Sequence, residues 1–95
     1  MDRVTTTIKR EFFRPIVAGE KRIEYRTIKD YWEKRFAKVS VPFRLRLING
    51  MSKTAPECIV EVTRVRRNTR TGYFELHLGR IFEVKHWDRR RGVPK

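Results

Sequence analysis

The sequence predicts an α+β fold: a small, curved sheet of five to six short, mostly antiparallel strands closing toward a β-barrel, with two short helices flanking a cleft. Three observations predict it. Helical spacing of apolar residues occurs only in 11–18 and 29–37, whereas strand-like alternation recurs from residue 43 onward. The chain has 95 residues, enough for one core and no second one.

Each element has its own signal. Thr5 to Lys9 is β-branched and predicts a first strand. Glu11 to Ala18 sets Phe12, Phe13, Ile16 and Val17 at helical spacing; Pro15 fits only in a first turn or an irregular one, and Gly19 stands where the helix stops. Lys21 to Arg26 alternates, with Ile23 and Tyr25 on one face and Glu24 and Arg26 on the other. Lys29 to Ala37 predicts a second helix in which Asp30 caps, Trp32 and Phe36 lie four apart, and Tyr31 neighbours Arg35. Phe43 to Ile48 is a half-buried strand closed by an Asn49-Gly50 turn. After a loop at 51–56, Cys58 to Val65 is β-branched enough for the centre of the sheet. Arg64, Arg66, Arg67 and Arg70, with Asn68 and Gly72, mark a basic hairpin-like turn. Tyr73 to Leu78 and His77 to Val84 then form two strand pieces with a bend or bulge at Gly79. Residues 1–95 make a single domain with a basic, flexible tail at 88–95.

Charge is the strongest compositional feature. The formal net charge is +13, from 24 Lys+Arg against 11 Asp+Glu, and residues 61–95 alone carry 10 basic and 4 acidic groups. An excess of this size suits a polyanion or an anionic ligand, although a solvated basic surface has the same composition. One cysteine, Cys58, excludes an internal disulfide. Cys58, His77 and His86 are too few for a structural zinc site, so no metal and no cofactor is expected. Without a long apolar run or a secretory-type leader, the expectation is a cytoplasmic protein with no membrane partner, present as a monomer or weak dimer.

The densest polar constellation is Gly19 to Arg26, GEKRIEYR. In a partly desolvated cleft, Lys21 beside a carboxylate is held as a cation that stabilises an oxyanion, or becomes a base if burial outweighs the partner's charge. Glu24, three residues on, can activate water or pass a proton to a leaving amine. The alternative is an exposed strand with a solvated ion pair. GEKRIEYR resembles the GxKxxExR signature of the ASCH superfamily, whose members are similar in fold to the RNA-binding PUA domain. TIKDYWEKRF (27–36), INGMSKTAP (48–56) and YFELHLGRIFEV (73–84) are similar to further segments of small stand-alone ASCH proteins, so the resemblance covers most of residues 8–86.

The resemblance implies a PUA-like barrel whose cleft takes a nucleobase, nucleotide or RNA. It also implies amidohydrolase activity on N4-acetylcytidine, a property of some small members, while others bind or cleave RNA. In the amidohydrolase pattern a lysine works with a threonine three residues on and a glutamate from a later segment. Lys21 matches the lysine; Glu24 occupies the threonine position, so no threonine nucleophile carries over. The later helical segment has no counterpart, because only a short loop separates Val65 from Tyr73. Glu61 and Glu75 are therefore candidates for a second carboxylate, Glu61 the stronger because it shares a strand face with Ile59 and Thr63.

The expected function is removal of the acyl group from N4-acylated cytosine nucleosides, with Lys21, Glu24 and Glu61 catalytic. Arg26 orients Glu24 or meets the substrate. Tyr25, Tyr31 and Trp32 offer stacking surfaces, of which Trp32, four residues before Phe36, fits the core better. Asn49 reads a base edge or simply makes its turn, and Ser52 and Lys53 touch sugar or phosphate or remain a solvated loop. The partner is thus a modified nucleoside or RNA; the competing function is a non-catalytic RNA-binding module. A ribonuclease fits less well because no placed histidine pair is visible.

Overall fold

The computed structural model describes all residues, Met1–Lys95, and has the α+β architecture predicted: a curled five-stranded half-barrel, two helices and a small second sheet, consistent with a small PUA-like barrel. The elements run β1 (Arg3–Thr7), α1 (Arg10–Val17), β2 (Ile23–Thr27), α2 (Asp30–Ala37), β3 (Phe43–Ile48), β4 (Glu57–Asn68), β5 (Tyr73–Lys85), β6 (Trp87–Asp88) and β7 (Val93–Pro94). The main sheet has the order β1-β3-β4-β5-β2; β1 pairs parallel with β3 and every other pair is antiparallel. β4 is central, as its apolar composition predicts. β1 and β2 are the two edges.

Period-two alternation builds the core. Phe43, Leu45 and Leu47 of β3, Cys58, Val60 and Val62 of β4, and Phe74, Leu76 and Leu78 of β5 all turn to one face, where they meet Phe13, Ile16 and Val17 of α1. Burial pushes the Cys58 thiol up to about 12, which keeps it an apolar filler. On α2, Trp32 stacks on Phe36 at 5.3 Å, and Phe36 meets the edge of Phe74 at 5.0 Å. On the other face, Arg46 pairs with Glu57 and holds its carboxyl below the usual carboxylate range.

Several local expectations need correction. Pro15 lies in the second turn of α1, and its carbonyl accepts the amides of Glu20 (2.9 Å) and Lys21 (3.0 Å), so it contributes to the helix stop. Gly19 makes that stop possible at φ +80°, a left-handed conformation free of any Cβ clash for glycine. Asp30 does not cap α2: Lys29 is the cap residue and makes no side-chain cap bond, because the helix begins one residue too early for the Asp30 carboxylate to serve. Arg64, Arg66 and Arg67 belong to β4; the turn itself is Thr69–Gly72, where Asn68 Oδ1 accepts the amides of Arg70 and Thr71. The two strand pieces flanking Gly79 form one strand, β5, whose pairing with β4 shifts register where Val60 faces Ile81 and Val62 faces Leu78.

The basic C-terminus is not a frayed tail. β6 and β7 pair as a hairpin, Asp88 Oδ1 accepts the amides of Arg90 and Arg91, and Trp87 is buried with its ring 5.1 Å from Phe13. Arg89, Arg90 and Arg91 remain exposed, where solvent and salt screen their mutual repulsion. Trp87→Ala is expected to cost about 3 kcal/mol, the scale for deleting a buried aromatic. Urea denaturation measures that loss; a change below about 1 kcal/mol would mean the hairpin is not anchored through this ring.

Candidate functional site

The sheet is open between its edges, and β1 and β2 line a cleft of about 480 Å³ together with α1 and α2. That volume lies in the range of small-molecule sites. One wall is the β1–α1 junction, Thr7, Ile8 and Lys9, with Phe12 from α1. The other is Lys21 with Glu24, Tyr25, Arg26 and Thr27 of β2, and Trp32 from α2 closes it.

Glu24 is the one buried acidic residue, at 5% exposure. The alternation of β2 places Glu24 and Arg26 on one face as predicted, and this polar face is the one turned toward the cleft. Glu24 Oε2 accepts from Arg26 Nη2 at 2.8 Å and Nε at 3.2 Å. Its Oε1 accepts no hydrogen bond and lies 3.6 Å from Lys21 Nζ. The buried carboxylate thus lies between two cations, with one oxygen committed to Arg26 and the other free of hydrogen bonds.

Arg26 does more than hold Glu24. Its Nη1 donates to Thr6 Oγ1 (3.2 Å) and its Nη2 to the Thr7 carbonyl (3.0 Å), so one guanidinium ties edge strand β2 to edge strand β1. The guanidinium also lies 5.2 Å from the centroid of the Trp32 ring. Arg35 adds a second tie from α2 to the Thr5 carbonyl at 3.0 Å. Lys21 Nζ sits 5.0 Å from the Tyr25 ring and 5.5 Å from the Phe12 ring, an aromatic notch that favours a cation.

Of the sequence-predicted site residues, Lys21, Glu24, Tyr25 and Arg26 meet in the cleft. Tyr31 does not line it: it is 53% exposed, receives a hydrogen bond from Arg35 and packs its ring against Trp32. Asn49 is a brace, accepting from Arg10 Nε (2.7 Å) and donating to the Ile8 carbonyl (2.9 Å), and so fixes the cleft wall from behind. Ser52 and Thr54 bond each other in an exposed loop, and neither Ser52 nor Lys53 reaches the cleft. Glu61 also lies away from it, alternating with the core residues Val60 and Val62, with its Oε1 3.5 Å from the Arg80 amide. Glu75 accepts from Asn68 at 2.9 Å, likewise outside the cleft. Glu24 is therefore the sole cleft carboxylate.

Sequence reasoning missed Thr7, Ile8, Lys9, Phe12 and Thr27, and favoured the core for Trp32, which is buried and also lines the cleft. One signal was present for Phe12: Phe13, Ile16 and Val17 complete an i, i+3, i+4 stripe that leaves Phe12 at its margin, and Phe12 is 42% exposed while Phe13 is fully buried. No group of three or more His, Cys, Asp or Glu residues gathers at a point where a metal could sit. No helix is long and apolar enough to cross a membrane. No family model matches the chain, and no curated protein matches its sequence.

Arg26→Ala strands Glu24 beside Lys21 alone and unfastens β1 from β2, for an expected cost on the order of 3 kcal/mol. Arg26→Lys recovers little of it, because one ammonium cannot reach the carboxylate, the hydroxyl and the carbonyl together. Adding Glu24→Gln to Arg26→Ala recovers part of the loss by removing the buried charge. A double-mutant cycle in urea measures this coupling, and additive losses would show that the two side chains act separately.

Proposed function

We propose that the cleft binds a planar N-acylated nucleobase and hydrolyses its exocyclic amide, as the similarity of GEKRIEYR to the ASCH signature implies. The observation that carries the reading is the hydrogen-bond-free Oε1 of buried Glu24, 3.6 Å from Lys21 Nζ at the cleft. Glu24 Oε1 takes a proton from water, and the hydroxide adds to the acyl carbon. The Lys21 ammonium faces the oxyanion that forms. Glu24 then returns the proton to the departing exocyclic nitrogen, the C–N bond breaks, and a carboxylic acid and the free amino base leave. No covalent enzyme intermediate is needed, which agrees with a carboxylate at the position where a threonine nucleophile would stand. Tyr25, 48% exposed at the rim, and Phe12 offer faces for the base.

The test is incubation with N4-acetylcytidine and chromatography for cytidine. Lys21→Met and Glu24→Gln are each expected to lower turnover at least about 100-fold, the usual scale for losing an oxyanion donor or a general base. Lys21→Met is expected to keep stability within about 1 kcal/mol. Turnover that survives either substitution would remove that residue from the mechanism.

A specific observation favours a second reading, a non-catalytic RNA-binding module. Arg14, Arg89, Arg90 and Arg91 surround a smaller groove of about 180 Å³ beside Trp87, and none pairs with a carboxylate. If these four arginines carry single-stranded RNA, affinity should fall about 50-fold between 50 and 200 mM salt. Fluorescence anisotropy with a labelled oligonucleotide measures the slope, and a flat one would eliminate phosphate contacts at this groove.

A further inference from the structure

The main cleft holds three cations, Lys9, Lys21 and Arg26, against one carboxylate, Glu24. Lys21 and Arg26 both engage Glu24, whereas Lys9 has no carboxylate within ion-pairing reach. An uncharged nucleoside would leave this positive excess without a counter-charge at the cleft, whereas a phosphate supplies one. From this imbalance we infer that the ligand carries a phosphate and that Lys9 is its contact, an inference that rests on the nucleobase reading of the cleft.

The geometry gives the two ends of such a ligand separate walls. Lys21 and Glu24 stand on the β2 side and Lys9 on the β1 side, so a base edge at the Lys21–Glu24 pair directs its sugar and phosphate across the gap. Thr7 and Thr27 line the same space and offer hydroxyls to the sugar. The root of Lys9 is held in place: its carbonyl accepts the amides of Phe12 (3.0 Å) and Phe13 (2.9 Å). Ile8, just before it, donates its amide to the Ile48 carbonyl at 3.0 Å and accepts from Asn49 at 2.9 Å. An exposed ammonium on an anchored backbone is suited to meet a phosphate with little ordering of the main chain.

The phosphate can belong to a free nucleotide or to the diester of an RNA chain. Calorimetric titration of the intact protein at low ionic strength compares cytidine, cytidine 5′-monophosphate and a cytidine-centred trinucleotide without terminal phosphates. Cytidine 5′-monophosphate or the trinucleotide is expected to bind at least about tenfold more tightly than cytidine, the value of one charge-assisted contact. The tighter of the two identifies the source. In Lys9→Gln the ratio to cytidine should fall to near one, and in Lys9→Arg it should persist. Equal binding of cytidine and both phosphorylated ligands overturns the inference, as does a preference that survives Lys9→Gln. Binding requires no turnover, so an inactive protein that still prefers the phosphate through Lys9 would sink the hydrolytic reading and keep this one. Failure to bind any of the three overturns both.

Discussion

A single guanidinium spanning two unpaired sheet edges is the contact on which the rest of this molecule depends. Curling brings β1 and β2, the first and last strands of the sheet, within reach of one arginine side chain but not into a backbone ladder. A backbone ladder would have closed the barrel and abolished the cleft. No bridge at all would have left two open edges, which proteins normally cover or protect. Arg26 ties the edges while leaving space beside the tie, and Trp32 and Glu24 fix the plane of the guanidinium.

The same contact explains how a carboxylate comes to be buried in so small a domain. Desolvating Glu24 is unfavourable unless its charge is matched, and Arg26 on the same strand face supplies the match for one oxygen. The other oxygen faces Lys21, whose position is set by the end of α1. The Pro15 carbonyl takes the Lys21 amide, and Gly19 supplies the reversal that brings Lys21 from the helix to the mouth of β2. A proline inside a helix thus helps position a cleft cation. Behind the opposite wall, Asn49 performs the equivalent task for Ile8 and Lys9.

Much of the fold was legible because its signals are local. Alternation in FRLRLI and in CIVEV, helical spacing around Phe13 and Ile16, and the Gly19 stop each follow from side chains a few residues apart. Half of the cleft was legible for the same reason, since Lys21, Glu24, Tyr25 and Arg26 lie in one six-residue run. The other half was not. Thr7, Ile8 and Lys9 reach the cleft only because β1 pairs parallel with β3 and the sheet curls, a long-range outcome with no short-range pattern. Asn49 and Tyr31 had suitable chemistry, but their hydrogen-bonding groups serve Ile8, Arg10 and Arg35. Charge also misled at the C-terminus, where an arginine run outweighed a buried Trp87 in the reading of 88–95.

In a chain of this length, site and scaffold share residues, and the proposed chemistry has to be compatible with that sharing. Glu24 is held by Arg26 through Oε2 alone, so proton transfer at Oε1 leaves the edge-to-edge tie in place. A nucleophile at this position would have to move toward the substrate and form a bond, drawing the carboxylate away from Arg26 and loosening β2 from β1. Acting on water avoids that movement, because the water, not the side chain, crosses to the acyl carbon. Lys21 carries no part of the tie between strands and can follow the developing charge. The structural duty of Arg26 thus favours general-base hydrolysis over covalent catalysis at Glu24.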